Sequence, residues 1–130
     1  VWNECMQKIG ISVYNRKEVL QLIENEHSEM YVVAYEQSYV IAAAVFFKTD
    51  KKLYYLFPVS SEEGKQGKAM FLLLDFVIQK YAGTNLILDF EGSEIIGVSR
   101  FYKGFGAESK PYYYYERCSL PFLSKLIKKL

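Results

Sequence analysis

A polar, glycine-bearing loop at residues 60–68 carries the residue types that bind phosphate groups. It reads Ser-Ser-Glu-Glu-Gly-Lys-Gln-Gly-Lys and stands directly before an apolar, helix-forming stretch. The first N–H groups of a helix have no partner within the helix and carry its positive dipole end. Amides around residues 64–69 could therefore hold a diphosphate, with Lys65 and Lys68 adding charge. A solvated loop that caps a core helix is the alternative interpretation.

Two carboxylates, Asp89 and Glu91, mark the end of an apolar run at residues 86–90. If that run is a strand, both side chains lie on one face of it, at the end where open α/β sheets bind ligands. Burial there would raise the pKa of a carboxyl group and let it accept a proton from an amine. The alternative is structural, with the carboxylate capping backbone N–H groups or pairing with a cation such as Arg100.

Other catalytic residue types are scarce. His27 is the single histidine, and it stands at the predicted end of a helix, where it can interact with the helix dipole. Cys5 and Cys118 lack the CxxC spacing of a zinc site, so we predict free thiols, no metal and a cytoplasmic protein. The set does not support a Ser-His-Asp or Cys-His hydrolase.

Length and charge limit the fold and the partners. A chain of 130 residues, 51% of them apolar, predicts one domain that buries a core without metal or disulfide. A formal charge of +1 argues against DNA or other nucleic acid held mainly through its phosphates. The longest apolar runs, residues 40–47 and 69–74, are far shorter than the ~20 residues that span a bilayer, so we expect a soluble protein.

The elements that position these residues begin with antiparallel strands. A capping box, Asn15 with Glu18, predicts a helix that ends near His27. Pro58 lacks the N–H that a strand ladder needs, so we expect pairing to fail there. β-branched, aromatic and small apolar residues predict three consecutive strands joined by polar turns, at residues 30–35, 39–47 and 53–59.

The second half alternates helices with strands. Residues 69–82 are apolar around most of a helix circumference, which predicts a helix buried against a sheet. The order predicts an α/β sheet that is antiparallel at first and has a parallel pair after residues 60–68. The predicted elements are helices at residues 69–82 and 93–105, each followed by a stop glycine, and strands at residues 86–90 and 112–118.

Two stretches bring a family into view. Residues 99–107 resemble the second signature of the GNAT acyltransferases, a helix that bears Arg-x-Tyr, here Arg100 and Tyr102, with Gly106 four residues after the tyrosine. Residues 64–69 are similar to the first signature, Gln/Arg-x-x-Gly-x-Gly/Ala. The resemblance implies the GNAT fold, an α/β (α+β) architecture whose mixed sheet has antiparallel N-terminal strands, a splayed parallel pair and helices on both faces.

The Fem-type branch of that superfamily is the nearest resemblance. Residues 89–93 and the loop at residues 60–65 look like that branch, whose members transfer amino acids from aminoacyl-tRNA to peptidoglycan precursors through tandem domains. The resemblance implies that residues 1–130 are the C-terminal half of a longer protein with a missing N-terminal domain. The first residue, Val1 rather than Met, agrees with this expectation.

The resemblance also implies a site. The donor's pantetheine arm would lie in a V between the parallel strands, beside Phe57 and Val59, with an oxyanion donor from the backbone near Phe57. Tyr102 would protonate the departing thiolate, although its helical spacing also suits a ring packed beneath the sheet. The diphosphate would meet the N–H groups of Gly64, Lys65, Gln66, Gly67, Lys68 and Ala69.

Three functions follow. The first is an N-acyltransferase that moves an acyl or aminoacyl group from acetyl-CoA, another acyl-CoA or an aminoacyl-tRNA to an amine, either a small molecule or a peptidoglycan precursor. The second is a non-catalytic half that binds acceptor or stabilises a partner domain. Two departures favour it, because Gly64 stands where many GNAT enzymes have Gln or Arg, and Ile95 where they often have Asn. The third is a plain acetyl-CoA dependent small-amine acetyltransferase.

Two further segments have open interpretations. Four tyrosines at residues 112–115 predict either a half-buried edge strand or an aromatic platform for a nucleobase or sugar. The basic amphipathic segment at residues 122–130 predicts a helix that packs against the domain or touches an anionic membrane surface.

Overall fold

A computed structural model describes residues 16–35 and 39–115. None of the helices in these two ranges is long and apolar enough to cross a membrane. The elements, in chain order, are α1 (Arg16–Ile23), β1 (Ser28–Tyr35), β2 (Tyr39–Lys48), β3 (Lys52–Ser60), α2 (Glu62–Gln66), α3 (Ala69–Lys80), β4 (Ile87–Asp89) and α4 (Ile96–Lys103).

The sheet has the predicted mixed topology. Its strand order is β1-β2-β3-β4, with antiparallel pairing among the first three strands and parallel pairing between β3 and β4. The short polar turns allow only antiparallel neighbours, whereas the connection through α2 and α3 is long enough for a parallel crossover. The expected hairpin block and parallel pair are both confirmed.

A bulge interrupts β3 next to Pro58. Leu56 lies opposite Val45 and Val59 opposite Ala43, so β3 has one residue more than β2 over this stretch. Phe57 takes up the excess with a left-handed φ of 47°. The expected loss of pairing at Pro58 is therefore local, because the ladder resumes at Val59 and the strand continues to its end.

The core lies between α3 and one face of the sheet. Leu73, Leu74 and Val77 of α3 pack with Phe46 and Tyr55 of the central strands. Consecutive residues of β2, 42–46, are all buried, so both faces of this strand are covered. The other side of α3 remains exposed, with Leu72 at 62% and Phe76 at 57% of full exposure. The prediction that this helix is buried against the sheet is thus confirmed, and its remaining apolar residues stay exposed because one sheet face covers only one side of a helix.

Several predicted boundaries differ from the structure. α1 ends at Ile23, so His27 lies in the turn before β1 and not at a helix end. α4 begins at Ile96, because the Ser93 hydroxyl accepts a hydrogen bond from the Ile95 N–H (3.1 Å) in a turn that precedes the helix. α3 ends at Lys80, two residues before the predicted end at residue 82.

The predicted last strand is wrong at its start. Residues 112–115 form no strand, and their side chains are 80–103% exposed, so the half-buried edge strand is not found. Residues 116–118, Cys5, Cys118, the Asn15 cap and the segment at residues 122–130 lie outside the described residues.

Candidate functional site

A V-shaped opening separates the two parallel strands. β3 and β4 pair only at three positions, the last of which joins Tyr54 to Asp89. β4 ends there, whereas β3 continues to Ser60. The strands therefore part toward their carboxyl ends, where open α/β sheets bind ligands. This geometry confirms the predicted splayed pair.

Three aromatic rings fill the vertex of the V, and we call them the aromatic triad: Tyr55, Phe90 and Tyr102. Tyr55 and Phe90 are the first residues beyond the last paired positions, and their ring centroids are 5.7 Å apart. Tyr102 of α4 stacks on Phe90, with centroids 4.4 Å apart and planes 18° apart. It also meets Tyr55 nearly at a right angle, at 6.1 Å. The predicted packing of Tyr102 against the sheet is thus observed.

The hydroxyls of the triad are available for other partners. Burial raises the pKa of Tyr102, and burial, followed by the electrostatic interaction between the two phenols, raises the pKa of Tyr55. Both phenols are therefore protonated at neutral pH. No residue in the described ranges donates a hydrogen bond to either hydroxyl or accepts one from it. Packing and a chemical role are thus compatible for Tyr102.

The long wall of the V carries the predicted donor-contacting residues of β3. Phe57 sits in the bulge with its left-handed backbone, and its side chain is partly exposed. Val59 is buried, with 2% exposure, and anchors the resumed ladder opposite Ala43. A β-bulge changes the direction of backbone N–H and C=O groups that would form hydrogen bonds in a regular ladder, so that they can point toward a neighbouring site.

The predicted phosphate loop is largely helical. Ser61 caps α2, and its hydroxyl accepts a hydrogen bond from the Gly64 N–H (3.1 Å). The N–H groups of Lys65 and Gly67 donate to the carbonyls of Ser61 (2.9 Å) and Glu63 (2.8 Å). These amides are already bonded within the turn, so the prediction that the whole run from residue 64 to residue 69 is open to a diphosphate is wrong.

Gly64 has a packing reason to be glycine. It is buried against β2, where an added Cβ would lie 2.1 Å from the Ile41 carbonyl oxygen. No side chain fits at that distance. The absence of a Gln or Arg side chain here therefore follows from the close approach of α2 to the sheet.

The start of α3 keeps the features that suit an anion. Ala69 and Met70 are the first two residues of α3, where the amides have no acceptor within their own helix. Lys68 precedes them in the left-handed conformation (φ 54°) with an exposed side chain. By contrast, Lys65 is held by Glu62 in an exposed ion pair of 2.6 Å. A phosphate group would therefore meet the first turn of α3 and Lys68.

Asp89 and Glu91 do not share a face. Glu91 lies beyond β4 with a left-handed φ of 59°, and its N–H donates to Asp89 Oδ1 (3.0 Å). Lys52 Nζ pairs with Asp89 Oδ2 at 2.7 Å. The hydrogen bond from Lys52 lowers the pKa of Asp89, in spite of an opposing effect of burial. The structural interpretation is thus confirmed for Asp89, which accepts a backbone N–H and pairs with a cation, Lys52 rather than Arg100, and the raised pKa of the other interpretation is not found.

His27 has a surface position away from the V. Its Nε2 lies 3.6 Å from Glu26, and its ring meets the edge of Phe47 at 6.0 Å. Within the described ranges, no group of three or more His, Cys, Asp or Glu side chains is arranged to hold a metal ion.

Three residues of this region were not singled out by the sequence: Tyr55, Phe90 and Lys52. Tyr55 and Phe90 stand inside predicted strands. Each follows a leucine by two residues, Leu53 and Leu88 respectively, and this spacing indicates that the aromatic residue faces the core together with that leucine. Their meeting at the vertex depends on the register between β3 and β4, which neither strand encodes by itself.

Comparisons with solved structures identify the fold. No protein-family model matches the sequence, and neither does any curated protein. The ribosomal-protein-alanine N-acetyltransferase from Brucella melitensis biovar Abortus 2308 has a TM-score of 0.65 at 10% identity, over 88% of each chain. The aminoglycoside N-acetyltransferase AAC(6')-Iy in complex with CoA has a TM-score of 0.60 at 11% identity, over 90% of this chain and 91% of that one.

A third structure agrees. An aminoglycoside acetyltransferase from an uncultured soil metagenomic sample, in complex with trehalose, has a TM-score of 0.62 at 12% identity, over 89% of this chain and 85% of that one. The chain therefore has the GNAT fold, as the resemblance in sequence implied.

Proposed function

We propose that this protein is an N-acyltransferase that moves an acyl group from a coenzyme A thioester to an amine. The parting of β3 and β4, with Tyr102 at the vertex and the start of α3 beyond, is the observation that carries the proposal. The likeness to N-acetyltransferases, one of them in complex with CoA, supports the choice of donor.

The residues of the site would divide the reaction between them. When the amine nitrogen bonds to the thioester carbon and the C–S bond breaks, Tyr102 donates its proton to the departing sulfur. A general acid of this kind contributes about 10²- to 10⁴-fold. Glu91, whose carboxylate is exposed beyond β4, is the candidate to take the proton that the amine loses. Backbone at the Phe57 bulge is the candidate to stabilise the carbonyl oxygen.

Donor binding would use the first turn of α3. The Ala69 and Met70 amides and the exposed Lys68 ammonium supply two N–H donors and one charge for a diphosphate. The amides of Gly64, Lys65 and Gly67 would act only indirectly, by fixing α2 against the sheet. Coenzyme A would therefore be held by fewer amides than the sequence pattern implied.

The proposal is tested by donor binding and then by transfer. Acetyl-CoA at 100 times its dissociation constant should stabilise the fold by ~2.7 kcal/mol, whereas pantetheine, which lacks the diphosphate, should do much less. Transfer is then measured with acetyl-CoA and three amines: neamine, a peptide with an N-terminal alanine, and spermidine. No thermal shift and no transfer at millimolar acetyl-CoA would reject a coenzyme A dependent enzyme.

Lys68 offers a variant with two opposite effects. Lys68→Gly removes a left-handed lysine, which costs ~1 kcal/mol, and so should raise stability slightly. It also removes a charge worth up to ~1 kcal/mol to the phosphate, about 5-fold in Kd. Lys103→Ala, an exposed lysine on α4, is the matched control and should leave acetyl-CoA affinity unchanged. Equal affinities for all three proteins would place the diphosphate elsewhere.

The engagement of the α2 amides favours a second candidate, in which the donor is not a coenzyme A ester. The Fem-type resemblance then extends the proposal to an aminoacyl-tRNA donor, a peptidoglycan-precursor amine and an additional N-terminal domain. In the extreme case of this candidate, the chain has no catalytic role and is a half that binds acceptor or stabilises a partner domain. If acetyl-CoA neither binds nor reacts, aminoacyl transfer by a longer protein carrying Tyr102→Phe separates the two forms, because only a catalytic half would lose activity.

A further inference from the structure

Phe90 has an unusual place in the site. It is the first residue after β4, at the point where the two strands part, so anything that enters the V passes beside it. Its ring packs nearly parallel to Tyr102 and edge-on to Tyr55 (5.7 Å, 79°). It therefore connects one wall of the opening to the ring that carries the proposed acid.

Tyr102 packs against the hydrophobic core, and within the described part of the chain its ring contacts define the orientation of its ring. Its hydroxyl has no hydrogen-bond partner there, and its other ring neighbours are Tyr55 at 6.1 Å and Phe101 at 5.8 Å. Neither contact is parallel, since the interplanar angles are 89° and 55°. The stack with Phe90, at 4.4 Å, is the closest of the three and the one that limits rotation of the ring face.

We propose that Phe90 is a positioning residue, which holds the Tyr102 ring in one orientation and so fixes where its hydroxyl delivers a proton. This inference rests on the proposed acyl transfer for its catalytic consequence, but the placement of the ring stands on the stack itself. A misplacement of about 1 Å at a reacting group can lower the rate ~10²-fold. Loss of the stack should therefore act on the chemical step more than on donor binding.

Three variants of the complete chain isolate the stack. Phe90→Leu keeps an apolar side chain but removes the ring, and Phe90→Tyr keeps the ring. Phe105→Leu is the matched control, because Phe105 contacts the rings of Phe71, Phe101 and, at 6.4 Å, Phe90 itself, but makes no ring contact with Tyr102. All three are compared with wild type after thermal unfolding shows that each is folded.

The kinetic readout uses acetyl-CoA and the amine that wild type acetylates fastest. Phe90→Leu should lower kcat ~10- to 100-fold with less than a ~3-fold change in KM for acetyl-CoA, and Phe90→Tyr should recover most of the loss. Phe105→Leu should stay within ~3-fold of wild type. Equal losses in Phe90→Leu and Phe105→Leu would overturn the proposal, because that result describes general loosening of the core.

A second readout does not depend on activity. In protein labelled with ¹³C at tyrosine Cζ, the Tyr102 resonance, identified by its absence in Tyr102→Phe, should move in Phe90→Leu but not in Phe105→Leu. An unmoved resonance would overturn the positioning role even in an active enzyme. If the resonance moves and wild type neither binds acetyl-CoA nor transfers acetyl groups, the stack stands and the acyl-CoA function fails.

Discussion

Two groups of tyrosines in this protein have opposite hydrogen bonding. In the aromatic triad at the vertex of the V, no described residue bonds the hydroxyls of Tyr55 and Tyr102. At the far end of α3, Glu29, Tyr31, Lys80 and Tyr81 form what we call the carboxylate cluster. Glu29 accepts hydrogen bonds from both phenols and from Lys80, at 2.5 Å from Tyr81 Oη and 3.1 Å from Lys80 Nζ.

We expect the carboxylate cluster to contribute stability, and the aromatic triad to leave hydroxyls available for the proposed reaction. Burial by itself would raise the pKa of Glu29, but the hydrogen bonds from Tyr31, Tyr81 and Lys80 outweigh it and lower the pKa to about 2. Burial and the bond to Glu29 raise the pKa of Tyr31 to about 12. Every polar group of the cluster is thus satisfied by another, which ties α3 to β1. Among the described residues, the one fully buried side-chain oxygen without a partner is Ser28 Oγ, so the triad hydroxyls keep some access to water and, in the proposed function, to a substrate.

The largest expected effect comes from removing one hydroxyl in each group. Tyr102→Phe should lower kcat by about 10²- to 10⁴-fold, because the proposed general acid is lost, and should leave the unfolding temperature almost unchanged, because no bond within the described residues is lost. Tyr81→Phe should do the reverse, with activity near wild type and a lower unfolding temperature. Steady-state kinetics and thermal unfolding of both variants test this. If the two variants lost activity and thermal stability to the same extent, the two groups of tyrosines would not differ in role.

Breaking the carboxylate cluster at its centre has the next largest effect. Glu29→Gln removes the charge that two phenols and an ammonium share, and bonds to charged groups contribute ~1.5–3 kcal/mol when buried. Because the Glu29 side chain is 30% exposed, we expect a loss of ~1–2 kcal/mol, or several degrees in unfolding temperature. Glu26→Gln, at an exposed carboxylate beside β1, is the control and should change stability little. An unchanged unfolding temperature in Glu29→Gln would show that the cluster contributes no stability.

The stability from Glu29 should depend on pH in a defined direction. Its pKa is about 2 in the folded protein against an ordinary value of 4.5, so the unfolded chain binds more protons between these values. The contribution is full above about pH 5 and is lost as the pH falls toward 2. Urea unfolding of wild type and Glu29→Gln across this range should give two curves that converge at low pH. A constant difference would show that Glu29 is not the titrating group.

The sequence could predict part of the aromatic triad but not the carboxylate cluster. The first four strands, the parallel pair and the position of Tyr102 on a helix followed from periodicity and the signature around Arg100, whereas the strand predicted at residues 112–118 is absent over residues 112–115. The cluster did not, because Glu29 and Tyr81 are joined only once β1 packs against the end of α3. The engaged amides of α2 were equally hidden, since the Ser61 cap depends on how closely Gly64 approaches Ile41.

The smallest expected effect comes from removing the hydroxyl of Tyr55, the other tyrosine of the aromatic triad. Tyr55 is 4% exposed, yet its hydroxyl has no partner among the described residues, so Tyr55→Phe removes a desolvated group without breaking a bond that the structure shows. Such a change should be neutral or stabilising by ~1 kcal/mol or less. Tyr31→Phe is the matched change in the cluster and should destabilise, because its hydroxyl bonds both Glu29 and Lys80. Chemical unfolding of the pair measures the sign. If Tyr55→Phe loses as much stability as Tyr31→Phe, the Tyr55 hydroxyl forms a hydrogen bond within the fold. The aromatic triad would then have no second free hydroxyl donor beside Tyr102.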